Sequence, residues 1–255
     1  MEAVLDPTET YLLTPVDDVS APALTIVAPA LNERLTIDTF VDWCKTGLHR
    51  ARIPGEILIV DSSSDDTPER ALTRGARVLR TPRRGLGRAY IDALPYVRAR
   101  YVLMGDVDCT YDFRDLAPFV EALDAGYEYV IGSRFKGSIE PGAMPALHRY
   151  FGTPITTAFL NFLYGTRFSD IHCGMRAITR DALVRLQLSA QGWDYASEMM
   201  VRAASLRLRT TEVPVHFLKD MPDRQSHMKR RGWLEPWRAG LMNVRVMLAH
   251  RGERP

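Results

Sequence analysis

Short apolar runs alternate with amphipathic stretches through the first half of this 255-residue chain, and that alternation restricts the fold more than any other feature. "LTIVAPA" (Leu24 to Ala30) reads as a buried strand, followed by "ERLTIDTFVDWCKTGLHRA" as an amphipathic helix. "EILIVD" (Glu56 to Asp61) is a second strand, and a helix runs from Asp66 to Arg74. Then come "ARVLRT" as strand, "GLGRAYIDALPYVRA" as helix, "YVLMGD" as strand, "FRDLAPFVEALDAG" as helix and "YEYVIGSR" as strand. Runs this apolar suit strands covered on both faces. Strands and helices at this spacing imply βαβ units, hence an α/β fold with a mainly parallel central sheet flanked by helices. Right-handed crossovers line up the strand C-termini along one edge, where open α/β sheets bind ligands. That edge carries "PALNE", "DSSSDD", "GDVD" and "GSR", whereas the opposite strand ends are plain.

Asp106 and Asp108 follow the strand "YVLM" at once. Where a strand has just ended, residues i and i+2 can turn both carboxylates to one point. Hard oxygen ligands with few other metal-binding groups nearby suit Mg²⁺ or Mn²⁺, with diphosphate oxygens completing the octahedron. An isolated Asp-x-Asp is more often a pair of loop-capping or solvated carboxylates; its place after the fourth strand of an α/β run favours the metal. Cys44, Cys109 and Cys173 are odd in number and not in C-x-x-C spacing, which argues against a disulfide framework or zinc site and for a reducing compartment. A net charge of +2 gives no bulk case for nucleic acid as a partner. The acidic, proline-broken N-terminus lacks the pattern of a signal peptide. No apolar run reaches the ~18 residues of a membrane span. The longest candidate, Ala146 to Tyr164, contains His148, Arg149 and Pro154.

Seven segments in order resemble family 2 glycosyltransferases of the GT-A (Rossmann-like) fold, and among them the dolichyl-phosphate mannose synthase-like, polyprenyl-phosphate glycosyltransferase group. They are "TIVAPALNE", "EILIVDSSSDDTPERA", "RGLGRAYIDAL", "GDVDCTYDF", "GSRF", "SDIHCGMRAITRDAL" and, loosely, "DRQSHMKRRGW". The resemblance runs from Leu24 to about Leu248. It implies one GT-A domain over residues 23–232, an N-terminal extension over 1–22 and a C-terminal amphipathic helix over 233–255.

The resemblance also implies roles. Pro29, Ala30, Asn32, Glu33 and Val107 would line a nucleotide pocket, and Asp61 would accept from the base, unless it only caps the helix behind it. Ser62 and Ser63 replace the usual Asp and Gly of that loop, and Ser63 would touch the nucleotide. Gly85 and Gly87 would admit the backbone close to base or ribose. Asp106 and Asp108, with Thr110 as a third ligand directly or through water, would hold the Mg²⁺ or Mn²⁺. Arg134 would balance diphosphate or acceptor charge. Asp170, Gly174 and Arg176 match a sugar-side loop in which Cys173 replaces serine as a packing residue.

The expected reaction is inverting transfer of a sugar from a UDP- or GDP-sugar to a polyprenyl phosphate, an acceptor already ionised and in no need of a base. Arg149, Arg224, Ser226 and Lys229 would gather around its phosphate. The alternative acceptor is a hydroxyl of a soluble natural product or saccharide, for which Glu198 would be the base. "WLEPWRAGLMNVRVMLAHR" aligns Trp237, Leu241, Val244 and Leu248 on one face, with arginines alongside. Such a helix either lies on an anionic membrane or packs on its own domain. The expected location is cytoplasmic, peripheral on the inner face of the cytoplasmic membrane.

Overall fold

The structure is a computed structural model that describes residues 9–222, 224 and 244–249. Its strands are β1 (Tyr11–Leu13), β2 (Leu24–Ala30), β3 (Gly55–Asp61), β4 (Arg77–Arg80), β5 (Tyr101–Met104), β6 (Tyr129–Ile139), β7 (Arg176–Thr179) and β8 (Thr210–Phe217). They form one sheet in the order β1-β4-β3-β2-β5-β7-β6-β8. The block β4-β3-β2-β5 is parallel throughout. Beyond it the sheet is mixed, because β7 runs antiparallel to both β5 and β6, while β6 and β8 are parallel.

The helices α1 (Ile37–Arg50), α2 (Thr67–Thr73), α3 (Leu86–Ala93), α4 (Ala117–Asp124), α5 (Thr153–Tyr164), α6 (Arg180–Leu186) and α7 (Tyr195–Ser205) cover the sheet. On α1, Ile37, Phe40, Val41, Cys44 and Leu48 recur at helical spacing and are buried. The core they enter includes Ile26, Leu58, Ile59, Leu103 and Phe119, all at or near zero exposure. From β2 the chain proceeds to β3 on one side, while β5 lies on the other, so a crevice opens between the C-terminal ends of β2 and β5.

Four details differ from the sequence reading. Tyr11–Leu13, assigned to an extension, pair antiparallel with β4 and belong to the sheet. α3 stops at Ala93, where Pro95 shifts the chain into a 3₁₀ turn over Leu94–Tyr96. β6 continues past Arg134 to Ile139. Of the C-terminal helix, residues 244–249 are described and helical. Met247 is buried there and its carbonyl accepts from the Tyr164 hydroxyl at 2.7 Å, while Leu248, expected on the packing or membrane face, is half-exposed. Trp237 and Leu241 lie outside the described residues. Among the described residues, no helix is long and apolar enough to cross a membrane.

Candidate active site

A cavity of about 750 Å³ opens in the crevice. The loop after β2 supplies Pro29, Ala30, Asn32 and Glu33; the loop after β5 supplies Asp106, Val107, Asp108 and Thr110. Gly85, Arg134 and Arg224 also line it. These eleven sequence-derived residues therefore come together from segments far apart in the chain.

The acidic loop is a tight construction. Both the Thr110 backbone N–H and its hydroxyl donate to Asp108 Oδ1, at 3.0 and 2.7 Å. Cys109 between them is left-handed, with φ of 58°, a conformation that costs energy outside glycine and asparagine. Gly174 lies against the Asp106 carboxylate. A Cβ on it would meet Asp106 Oδ2 at 2.9 Å, so its contribution is the absence of a side chain. Among the described residues no donor makes a hydrogen bond to the Asp106 carboxylate. Burial and then the neighbouring Asp108 push its pKa up to about 7. Burial raises Asp108 as well, against the pull of Arg224 and the Thr110 bonds.

Arg224 reaches into this cluster. Arg224 donates to both Glu33 oxygens at 2.9 and 2.7 Å and to Asp220 at 3.0 Å, and it stands 3.6 Å from Asp108. Asn32, itself left-handed at φ 56°, accepts from the Ser64 N–H at 2.9 Å, which fixes the loop beside Glu33.

On the sugar side, Arg134 is held by Asp170 through Nε and Nη2 at 2.6 and 2.8 Å. Burial acts to raise the Asp170 pKa, but the bonds and charge of Arg134 outweigh it and hold the carboxyl below its ordinary range. Asp170 thus acts through Arg134 rather than lining the cavity itself. His172 does line it, and burial together with Arg134 pushes its pKa down to about 4, so the ring is neutral at pH 7. Cys173 is buried and its thiol is pushed up to about 12 by burial, which fits a packing residue.

Several expectations are corrected by what the side chains touch. Asp61 is fully buried and its oxygens are taken by the Ser63 N–H, the Ser63 hydroxyl and Arg80, so none is left for a nucleotide base. Ser63 is buried in the same knot. The residue of that loop that does face the cavity is Ser62, whose hydroxyl donates to the Thr81 carbonyl at 2.9 Å. Arg176 is buried and donates to the carbonyls of Cys173, Ile171 and Ala196, so it pins the sugar-side loop from behind. Glu198 is buried at 1% exposure and accepts from the Ser189 N–H, the Ser189 hydroxyl and the Ala190 N–H. That carboxylate secures a loop and does not reach the cavity as a base. Gly87 packs on that loop, where a Cβ would stand 2.2 Å from the Ala190 carbonyl oxygen. Arg149 stacks on Tyr150 outside the cavity, and its neighbour His148 lines the wall instead. Ser226 and Lys229 lie outside the described residues. Sequence reasoning missed Tyr111, Met144, Trp193, Phe217 and Asp220, which also line the cavity. The clustering of Tyr111 behind the acidic loop was the one available signal.

Among the described residues no group of three or more His, Cys, Asp and Glu side chains is placed to hold a metal ion. What is present is a pair of acidic oxygen donors short of positive charge, Asp106 and Asp108. That donor set fits a hard divalent cation whose remaining positions are filled by phosphate oxygens.

Fold and site together define a GT-A glycosyltransferase. The sequence pattern described as "Glycosyl transferase family 2" matches residues 25–186, and the chain belongs to that family. It is 40% identical over 227 residues to the low-salt glycan biosynthesis hexosyltransferase Agl6 of Haloferax volcanii, covering 86% of this chain and 55% of that protein. The chain thus spans about half the length of that relative. A dolichyl-phosphate hexose transferase of the same organism is 32% identical over 162 residues, 64% of this chain and 69% of its own. Among solved structures, glucosyl-3-phosphoglycerate synthase from Mycobacterium tuberculosis, in complex with Mn²⁺, UDP-glucose and phosphoglyceric acid, superposes with a TM-score of 0.64. At 22% identity over 92% of this chain and 81% of that one, it shows the shared fold.

Proposed function

We propose that this glycosyltransferase moves a hexosyl group, with inversion, from a UDP- or GDP-sugar to a polyprenyl phosphate, using Mg²⁺ or Mn²⁺. The observation that carries the reading is the carboxylate pair Asp106–Asp108 in the crevice between β2 and β5, of which Asp106 accepts no hydrogen bond among the described residues. A bound dication there supplies the positive charge that a departing nucleoside diphosphate requires. Asp106 and Asp108 would hold it, with Thr110 fixing the rotamer of Asp108. Pro29, Ala30, Asn32, Ser62 and Gly85 form the wall on the nucleotide side. Arg134, kept in place by Asp170, offers a guanidinium to phosphate oxygens. An acceptor phosphate oxygen attacks the anomeric carbon, the bond from that carbon to the diphosphate breaks, and its electron pair leaves with the diphosphate.

Two further points favour a phosphate acceptor over a hydroxyl. Glu198, the base a hydroxyl would need, is spent on the Ser189–Ala190 loop. The dolichyl-phosphate hexose transferase among the relatives carries such an acceptor in its name. A polyprenyl acceptor sets the work of the enzyme at the cytoplasmic face of a membrane. The test is a panel of UDP- and GDP-sugars, each with Mn²⁺, Mg²⁺ or EDTA, against polyprenyl phosphate and free saccharides. Metal-dependent product on the polyprenyl phosphate is expected. Transfer to saccharide hydroxyls alone, or undiminished transfer in EDTA, overturns the reading.

A further inference from the structure

The helix over Ala146–Tyr164 packs Leu160 and, in part, Phe159 and Leu163 on the core, yet carries a second apolar face. Its buried positions in α5 are Thr153, Thr157 and Leu160, two of them threonines. Thr157 Oγ1 accepts from the Ile171 N–H at 3.5 Å, and Thr156 Oγ1 bonds His172 Nε2 at 2.8 Å. The opposite face carries Phe151, Ile155, Ala158 and Phe162 at helical spacing, with Leu147 and Tyr150 one turn earlier. All six are exposed, Phe162 at 83% and Ile155 at 63%. A helix packed on a water-soluble domain turns its apolar stripe inward; this one presents a further apolar stripe outward. A contiguous apolar face of this kind marks a docking surface.

Its charge and its place say what docks. Residues 141–169 contain no Asp or Glu but include Arg149 and Arg167. The same segment opens with Ala143, Met144, Pro145 and His148, which line the catalytic cavity, so the apolar face begins at the cavity mouth. We infer that this face lies in the surface of an anionic lipid bilayer, with Phe151, Ile155 and Phe162 among the acyl chains and Arg149 and Arg167 at the headgroups. This orientation brings the cavity mouth to headgroup depth, where the phosphate of a membrane-borne acceptor sits. The inference rests on the polyprenyl-phosphate reading for its purpose but not for its geometry. It places a membrane contact on α5, beside the one expected of the C-terminal helix.

The test is flotation of the full chain with vesicles of phosphatidylcholine and phosphatidylglycerol, and with phosphatidylcholine alone. Wild type is expected to float with the anionic vesicles and to do so less with the neutral ones. Each of Ile155→Gln and Phe162→Gln should lower partitioning about ten-fold, since each withdraws one large apolar side chain from the membrane. Melting temperature and metal-dependent donor hydrolysis in detergent-free buffer should stay unchanged. Transfer to a short, water-soluble isoprenyl phosphate should also persist in these variants, so a failed acceptor reading and a failed docking reading give different results. The inference is overturned if wild type does not float, or if both variants float as wild type does. It is equally overturned if wild type is a dimer that the substitutions split, because the face then joins two copies of the chain.

Discussion

The molecule buries charge at both ends of its parallel strands, and the two clusters are built differently. At the N-terminal edge, Glu56 receives Arg77 at 2.9 Å and Arg98 as well, Arg98 also clasps Asp18 at 2.7 and 2.8 Å, and the Thr25 hydroxyl donates to Glu56 at 2.7 Å. Two carboxylates share two guanidiniums, so that cluster is balanced. At the C-terminal edge, Glu33, Asp106, Asp108 and Asp220 share Arg224. Among the described residues Asp108 has a guanidinium no nearer than 3.6 Å and the Asp106 carboxylate accepts no hydrogen bond, which leaves that pair short of positive charge. A balanced buried cluster supports the fold; an unbalanced one awaits something that carries charge.

The strongest way to break this comparison is to remove a carboxylate from each cluster and see which property falls. Asp108→Ala should reduce metal-dependent transfer by roughly a thousand-fold, about 4 kcal/mol of transition-state stabilisation, while the melting temperature holds or rises. Steady-state transfer assays beside calorimetry check both halves. Near wild-type turnover with chelator present would show that the C-terminal cluster is not a cation site.

Glu56→Ala should do the reverse. It leaves the buried Arg77 without its carboxylate, while the part-exposed Arg98 keeps Asp18, so unfolding should become easier by about 3 kcal/mol. Transfer per folded molecule should stay as it was. A denaturant titration gives the first number and an active-site-normalised rate the second. A stability loss below ~1 kcal/mol would mean that the N-terminal cluster is dispensable and that balance is no guide to its role.

Arg224 sharpens the comparison because, among the described residues, it is the cation that reaches Asp108, at 3.6 Å. Its replacement by alanine removes charge-assisted bonds and should lower transfer by about 1.5–3 kcal/mol, roughly ten- to hundred-fold. Tighter binding of Mn²⁺ to the chain without donor should accompany the loss, since Asp108 then loses the guanidinium that stands 3.6 Å away. Titration of free Mn²⁺ by electron paramagnetic resonance measures that. Weaker Mn²⁺ binding in this variant would reveal Arg224 as a support for the metal site rather than its occupant between turnovers.

The sequence made the two edges legible to different depths. The runs in β2, β3 and β5 are local signals, each an apolar stretch ending in polar residues, and all three are strands of the parallel block. Asp106 and Asp108 were legible for the same reason, since strand and ligand pair are contiguous. Asp61, Arg176 and Glu198 were singled out by residue type and segment, yet each is occupied by partners that no local pattern announces. Arg80 reaches Asp61 from β4, and the Ser189–Ala190 loop folds onto Glu198. The bond between Arg224 and Glu33 spans 191 positions. β1 is three residues long and owes its existence to pairing with β4, so it carries no periodicity of its own. The outer apolar face of α5 was in plain view as part of an apolar run, but only the packing shows which side is covered.

The smallest expected effect tests the charge deficit directly. The Asp106 pKa is raised from 3.8 to about 7, so the fold favours the protonated acid. Stability from that preference is fully present below about pH 4, the ordinary carboxyl range, and is lost as pH rises through 7. Asp106→Asn mimics the protonated form at every pH. In EDTA, the variant should match wild type near pH 4 and melt higher above pH 7, by about 1 kcal/mol or roughly 2–4 °C. Arg224 and Glu33 lie close enough to modulate the size of the gain but not its direction. Saturating Mn²⁺ should cancel it in part, because the metal stabilises wild type more than the variant. A difference in melting temperature that does not change between pH 4 and 8 would mean that Asp106 is already satisfied in the metal-free chain, and the contrast between the two edges would then rest on Asp108 alone.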